Sequence, residues 1–208
     1  TDFLSDYGYK TNNLGFSFGT SFEQYDDFYF KPTIATSYEK LETTSTASDA
    51  KQKQKGNYFD TYFNYSLDYD QRDKRYRPES GYRNIFYQEL PVVSNNYEIV
   101  NSFETTKYNK ISNVLTKVSF YGKAINTLNN KDVRISKRLY IPERRLRGFE
   151  NGRVGPIDKS NDYVGGNFLS AINFNAAFPK LLPSFENTEI SYFIDAANLW
   201  GVDYDDTI

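Results

Sequence analysis

The sequence predicts an all-β fold of long antiparallel strands, and three features support this prediction. Apolar and polar residues alternate with a period of two over most of the chain, as in strands with one apolar and one polar face. No segment shows a competing helical period. Hydrophobic residues make up only 38% of the 208 residues, yet aromatic residues make up 18%, with 19 Tyr and 17 Phe. This excess of Tyr and Phe at low hydrophobicity is unusual for a soluble core and typical of transmembrane β-barrels.

About nine strands are predicted in chain order. The clearest covers residues 59–70, where Phe59, Phe63 and Leu67 face one way and Asp60 and Asp68 face the other. The predicted strands run over residues 14–23, 28–38, 59–70, 81–92, 97–108, 113–124, 133–141, 166–178 and 187–197. Most are long enough to cross a bilayer, which takes about 9–11 residues of a tilted strand. The polar tract 43–56 is predicted to be a long, exposed and mobile loop.

Alternating strands also build soluble sandwiches and lipocalin-like barrels, so these folds are the alternative. Three observations favour an up-and-down transmembrane barrel instead. The polar face of residues 59–70 carries Asp60, Asn64 and Asp68, which would make a poor soluble core. Short and long connections alternate along the chain, as between the two ends of an outer-membrane barrel, and the apolar face is rich in Phe and Tyr.

The composition also excludes several functions. The chain has no Cys and no His, which removes disulfides, thiolate metal sites and the commonest general base. The acidic clusters lack the glycine and terminal glutamate of a calcium-binding EF-hand loop. A net charge of −2 gives no reason to expect nucleic acid as a partner. We therefore expect no catalytic residues, no metal and no cofactor.

The long connection 141–165 stands out from the strands and turns around it. It carries Arg144, Arg145, Arg147 and Arg153, several glycines and Phe149. A connection of this length inside a compact domain is usually functional or disordered. Its arginines and glycines favour a loop that folds back onto the sheet.

Four stretches in this order resemble the outer-membrane protein assembly factor family, known as the BamA or bacterial surface antigen family. The loop motif is Leu146-Arg147-Gly148-Phe149 with Gly155-Pro156 downstream. The other three are Tyr69-Asp70-Gln71-Arg72-Asp73 with Pro78 and Gly81-Tyr82, then Gly165-Gly166-Asn167, then 193–200, which ends in Trp200. The last stretch departs from the family pattern, because Ala197 stands where the family has glycine.

The resemblance implies that residues 1–208 are part of an outer-membrane barrel domain, an incomplete segment of about nine strands. The first and last barrel strands and the periplasmic POTRA domains would be absent from it. Absence of Met agrees with an internal piece of a longer protein. The implied function is folding and insertion of other barrel proteins without enzyme chemistry. The implied partners are the outer-membrane bilayer, nascent outer-membrane proteins and accessory lipoproteins.

The resemblance further implies that the loop enters the barrel lumen and that its arginine, Arg147, meets acidic residues of the wall. By alternation, Asp195 faces the polar side of the second strand after the loop. The family's other acidic partner would fall at Asn175, which is neutral and can offer only its carbonyl oxygen. The predicted site is therefore Arg147, Gly148, Phe149, Gly155 and Pro156, docked on Asp195 and Asn175.

A second functional class stays open from the sequence. A polypeptide-secreting transporter of the same superfamily, of the two-partner secretion type, would share the loop. The number of POTRA domains encoded in the full-length gene would separate the two classes.

Overall fold

Strand and turn dominate the structure, as the alternating sequence predicts. The computed structural model describes residues 2–4, 8–45, 47–158, 161–179 and 189–203. In this part of the chain ten strands form one sheet. They are β1 (Asp2–Leu4), β2 (Tyr9–Gly19), β3 (Phe22–Tyr25), β4 (Phe28–Thr43), β5 (Gly56–Asp70), β6 (Gly81–Val93), β7 (Glu98–Ile111), β8 (Val114–Thr127), β9 (Phe168–Phe178) and β10 (Ile190–Trp200).

The topology is an up-and-down meander. The strand order is β1-β2-β4-β5-β6-β7-β8-β9-β10, with the short β3 paired to β4, and every pairing is antiparallel. Helix is limited in the described ranges to one turn, α1 (Asp49–Gln52), and two 3₁₀ helices, Ile135–Lys137 and Glu143–Arg145. The prediction of an all-β, up-and-down antiparallel fold is confirmed, and the sheet is not closed into a barrel in this chain.

The two faces of the sheet differ sharply in chemistry, because successive residues of a strand point to opposite sides. The polar face is the side that carries Asp60, Asp68, Glu104, Asn173 and Asp195. The opposite side of the sheet is the apolar face. It exposes many large hydrophobic side chains, which is unfavourable in water. They include Phe16, Phe18, Ile34, Ile172, Tyr192 and Ile194.

No helix in the described ranges is both long enough and apolar enough to span a membrane.

The predicted strand 133–141 is wrong. These residues contain the 3₁₀ helix Ile135–Lys137, and their only ladder contact in the described chain is an isolated bridge between Leu139 and Gly166. The alternation has a different cause, because Val133, Ile135, Leu139 and Ile141 are buried against the polar face of the sheet. An extended segment that packs on a sheet shows the same period of two as a strand within it.

The polar tract 43–56 also differs from its prediction as a mobile, exposed loop. It includes α1, and the Lys51 side chain in this helix is only 2% exposed. Its Nζ lies 2.6 Å from Asp162 Oδ2 and 3.8 Å from Asp158 Oδ2. The tract is therefore held against the connection between β8 and β9. The remaining strands lie close to their predicted positions, and residues 187 and 188 of the last one lie outside the described residues.

Candidate functional site

The connection between β8 and β9 lies over the polar face of the sheet in its described residues, 128–158 and 161–167. Its apolar side chains join those of the strands in one hydrophobic cluster. The cluster contains Val100, Ile125, Val133, Leu139, Ile141, Leu146, Leu169, Ala171 and Leu199. Burial of these apolar side chains stabilises the connection and offsets the entropy cost of ordering it, about 1–2 kcal/mol per residue.

Arg147 and Asp195 form a bidentate ion pair between this connection and β10. Nε of Arg147 donates to Asp195 Oδ2 at 2.7 Å and Nη2 donates to Oδ1 at 2.7 Å. The backbone N–H of Arg147 donates to Oδ2 at 3.0 Å. The Asp195 side chain is 3% exposed and that of Arg147 33% exposed. Hydrogen bonding to this carboxylate raises the pKa of the Arg147 guanidinium, so the pair stays charged.

Two neighbours hold the pair in place. Nδ2 of Asn173 on β9 donates to Asp195 Oδ1 at 2.7 Å and to the carbonyl oxygen of Arg145 at 2.8 Å. The ring of Phe193 on β10 lies beneath the guanidinium, with its centroid 3.8 Å from Arg147 Cζ. A guanidinium that is forked onto a carboxylate and stacked on a ring has few other orientations open to it.

Arg145 forms a similar ion pair between this connection and β7. Its Nη2 donates to Glu104 Oε2 on β7 at 2.5 Å, and its Cζ lies 4.3 Å from the centroid of the Tyr121 ring on β8. The two arginines and the strands beneath them line a cavity of about 270 Å³. Arg144 and Lys117 also line this cavity, so its lining is predominantly cationic.

Two glycines of the loop motif have a positive φ, and at Gly155 the backbone also lies close to a neighbouring side chain. Gly148 has φ +86° and Gly155 has φ +129°, conformations that residues with a side chain rarely adopt. A Cβ added at Gly155 would lie 2.6 Å from Leu199 Cδ2. The chain beyond Gly155 is held by the Val164 N–H, which donates to the Pro156 carbonyl at 3.1 Å.

Comparison with known proteins identifies the family of the chain. The model of the Omp85 superfamily domain matches residues 1–208. The chain belongs to the Omp85 superfamily. The resemblance found in its sequence motifs is thereby confirmed, and an Omp85 β-barrel chain is a component of the outer membrane.

Two relatives define the similarity further. The outer membrane protein assembly factor BamA of Neorickettsia risticii (strain Illinois) is 23% identical over 200 residues, which cover 94% of this chain and 27% of that protein. The crystal structure of BamA from Haemophilus ducreyi lacking POTRA domains 1–3 is similar in fold, with a TM-score of 0.80 at 18% identity. The match covers 93% of this chain and 42% of that one. The Omp85 chain thus spans less than half the length of the relatives it matches.

The structure of this Omp85 chain brings together Arg147 and Asp195 but not Arg147 and Asn175. The Oδ1 atom of Asn175 is buried without a hydrogen-bond partner in the described residues. The register explains the difference, because Asp195 lies directly opposite Asn173 and Asn175 lies opposite Phe193. Asn175 instead lines the cavity beside Arg147.

Phe149 of the predicted site is exposed and does not pack on an aromatic side chain of the described strands. Its side chain is 58% exposed and lies beside Leu146, Gly152 and Val154 of the same connection. Leu146 takes the buried position instead, since it is the side chain of the motif that joins the hydrophobic cluster.

The sequence reasoning missed one charged residue of this Omp85 chain entirely. Arg134 has a fully buried side chain and contacts carboxylates on three strands. A signal was present, because Arg134 interrupts an alternating apolar stretch between Val133 and Ile135. The predicted strand 133–141 does not anticipate this ion-pair network.

Proposed function

We propose that this chain is part of the barrel of an outer-membrane protein assembly factor, which folds and inserts other barrel proteins. In this proposal the polar face lines the barrel lumen, and the β8–β9 connection is docked there by Arg147. The bidentate contact between Arg147 and Asp195 carries the proposal. It joins the arginine of the loop motif to the inward carboxylate that the family resemblance implies.

Membership of the Omp85 superfamily and the likeness to an assembly factor support this function. The contacts of Arg147 with Asp195 hold the loop motif on β10, which supports a positioning role. The proposed role is accordingly mechanical. The docked loop braces the sheet from within, and the chain performs no enzyme chemistry and uses no cofactor.

The whole protein would contain more than this segment. We propose that further barrel strands and periplasmic POTRA domains complete it. Its partners would be the bilayer, through side chains such as Phe18 and Ile194 of the apolar face, nascent outer-membrane proteins as substrates, and accessory lipoproteins of an assembly complex.

The test uses the full-length gene in cells depleted of their own assembly factor. Arg147→Ala removes the two side-chain hydrogen bonds to Asp195 and leaves that carboxylate without its cation. We expect porin assembly, measured as folded trimer on a heat-modifiability gel, to fall by about tenfold or more, because a shielded pair contributes a few kcal/mol.

Arg144→Ala is the matched control. Arg144 is also an arginine of this loop, but it is exposed and forms no ion pair within the described ranges. The control should assemble porin at the wild-type rate. The double variant Arg147→Asp with Asp195→Arg should recover part of the loss. The proposal would be overturned in favour of a transporter if Arg147→Ala assembled porin at the wild-type rate but no longer exported a secreted polypeptide.

A further inference from the structure

The most completely buried ion-pair network of the described chain centres on Arg134, not on Arg147. The Arg134 side chain is 0% exposed. Its Nη1 donates to Glu39 Oε2 on β4 at 2.8 Å, and its Nη2 donates to Asp60 Oδ2 on β5 at 2.6 Å and to Glu98 Oε2 on β7 at 3.1 Å. The Tyr58 ring centroid lies 4.2 Å from Arg134 Cζ. One guanidinium therefore ties together strands from a wide part of the sheet.

The three carboxylates have few other partners that carry positive charge. Ser136 Oγ donates to Glu39, Ser94 Oγ donates to Asp60, and the Arg134 backbone N–H donates to Glu98 Oε1 at 2.9 Å. Burial alone would lower the pKa of Arg134, but Glu98 and Asp60 outweigh it and the pKa is raised. Without Arg134, three buried carboxylates would face one another with no cation between them.

The chain next to Arg134 makes further contacts with β2, β4 and the segment before β5. Ile135 packs with Tyr9 and Leu41 in a second hydrophobic cluster, separate from the one that contains Leu146. The Ile135 N–H donates to Gln54 Oε1 at 2.7 Å. Residues 133–141, the first limb of the connection, thus have their own ion-pair network and place Ile135 in this second cluster, while Val133, Leu139 and Ile141 belong to the cluster that contains Leu146.

The second limb, residues 142–156, is bound to β7 through Arg145 and to β10 through Arg147. In the strand order three inter-strand intervals separate β10 from β7, the nearest strand that Arg134 binds. At about 4.8 Å per interval the ion pairs of Arg134 and Arg147 lie on the order of 14 Å apart across the sheet. Contacts this far apart, with no shared partners, are expected to be independent in energy.

We propose that Arg134 is a second anchor, a positioning residue that docks the first limb independently of the pair between Arg147 and Asp195. The connection then has two limbs that can be released one at a time. Loss of Arg147 frees the loop motif while the first limb stays on β4, β5 and β7. The inference extends the docking part of the proposed function, and its test does not depend on assembly activity.

Cysteine accessibility tests this inference, because the chain contains no cysteine of its own. In the full-length protein, with any cysteine elsewhere replaced, Ile135→Cys reports on the first limb and Leu146→Cys on the second. Both wild-type side chains are buried. Labelling by a maleimide–polyethylene glycol in isolated outer membranes is followed as a gel shift. Heat-modifiability confirms in each variant that the barrel is folded.

Arg134→Gln should raise the labelling rate of Ile135→Cys by about tenfold or more and leave that of Leu146→Cys within about twofold. Arg147→Gln should give the reverse pattern. Arg134→Lys should be intermediate at the first reporter, since an ammonium keeps the charge but not the planar fork. A simultaneous rise at both reporters in either variant would overturn the inference, as would no rise at Ile135→Cys.

Glu39→Gln serves if Arg134→Gln prevents folding. It removes one of three ion pairs and leaves the guanidinium bound to Asp60 and Glu98. We expect a smaller rise at Ile135→Cys, of about threefold, and none at Leu146→Cys. Equal changes at the two reporters would again contradict independent anchoring. An unchanged assembly activity in these variants would bear on the proposed function and not on the anchor.

Discussion

Asp195→Asn isolates the charge of the site with almost no change in shape. The Asp195 carboxylate accepts hydrogen bonds from the Arg147 backbone N–H, Nε and Nη2 and from Asn173 Nδ2. An amide keeps one acceptor oxygen, and its NH₂ group then faces donors. The substitution therefore removes the ion pair and places donor against donor.

The magnitude follows from burial. Breaking a fully buried ion pair costs about 3–5 kcal/mol. The Arg147 side chain is 33% exposed and regains some hydration on release, so we expect the cost to be about 2–3 kcal/mol. The free energy for opening the second limb should fall by that amount, which corresponds to about 30- to 150-fold faster amide exchange when exchange reports the opening equilibrium.

Hydrogen–deuterium exchange of the full-length protein in nanodiscs measures this directly, because the Arg147 amide itself donates to Asp195. Peptides that cover residues 142–156 should show the acceleration, and peptides from the first limb should not. Asn175→Ala is the matched control, since it removes a nearby side chain whose Oδ1 has no hydrogen-bond partner in the described residues. Exchange in Asp195→Asn within threefold of wild type, or equal to that of Asn175→Ala, would refute this reasoning.

Two further predictions concern packing and the membrane. Gly155→Ala should destabilise the docked connection by about 1–3 kcal/mol, because the new Cβ would lie 2.6 Å from Leu199 Cδ2 at a φ of +129°. Heat-modifiability gels should show a lowered unfolding temperature. An unchanged unfolding temperature would contradict the close approach. Ile194→Arg on the apolar face should lower the free energy of unfolding by about 2–4 kcal/mol if that face meets lipid, whereas Ser191→Arg on the polar face should lower it little. Urea titration of barrels folded into vesicles compares the two variants. Equal unfolding midpoints would argue against a lipid-facing Ile194.

The sequence alone determined the class of fold and the two faces of the sheet. A strict period of two assigns each residue of a strand to one side, whatever the neighbouring strands are. Asp60 and Asp195 could therefore be placed together with the loop, and Phe18 and Ile194 on the opposite side. The four family motifs also indicated that the connection with Arg-Gly-Phe is the one that folds back onto the sheet. Four motifs in a fixed order are more specific than any one of them.

Register decided which side chain on β9 meets Asp195. A period of two does not distinguish Asn173 from Asn175, since both lie on the same face. Only the pairing of β9 with β10 puts Asn173 opposite the carboxylate. A shift of one residue pair along the strand changes the partner without changing any pattern in the sequence.

Tertiary packing also decided the state of the segments that the sequence misassigned. Residues 133–141 alternate because they lie on a sheet, and Lys51 is buried because the β8–β9 connection brings two aspartates to it. Arg134 meets Glu39 across 95 residues of sequence. Whether a charge in such a segment is solvated or paired depends on carboxylates that other strands supply. Burial of the charge is unfavourable by itself, and only the carboxylates of the assembled strands offset that cost.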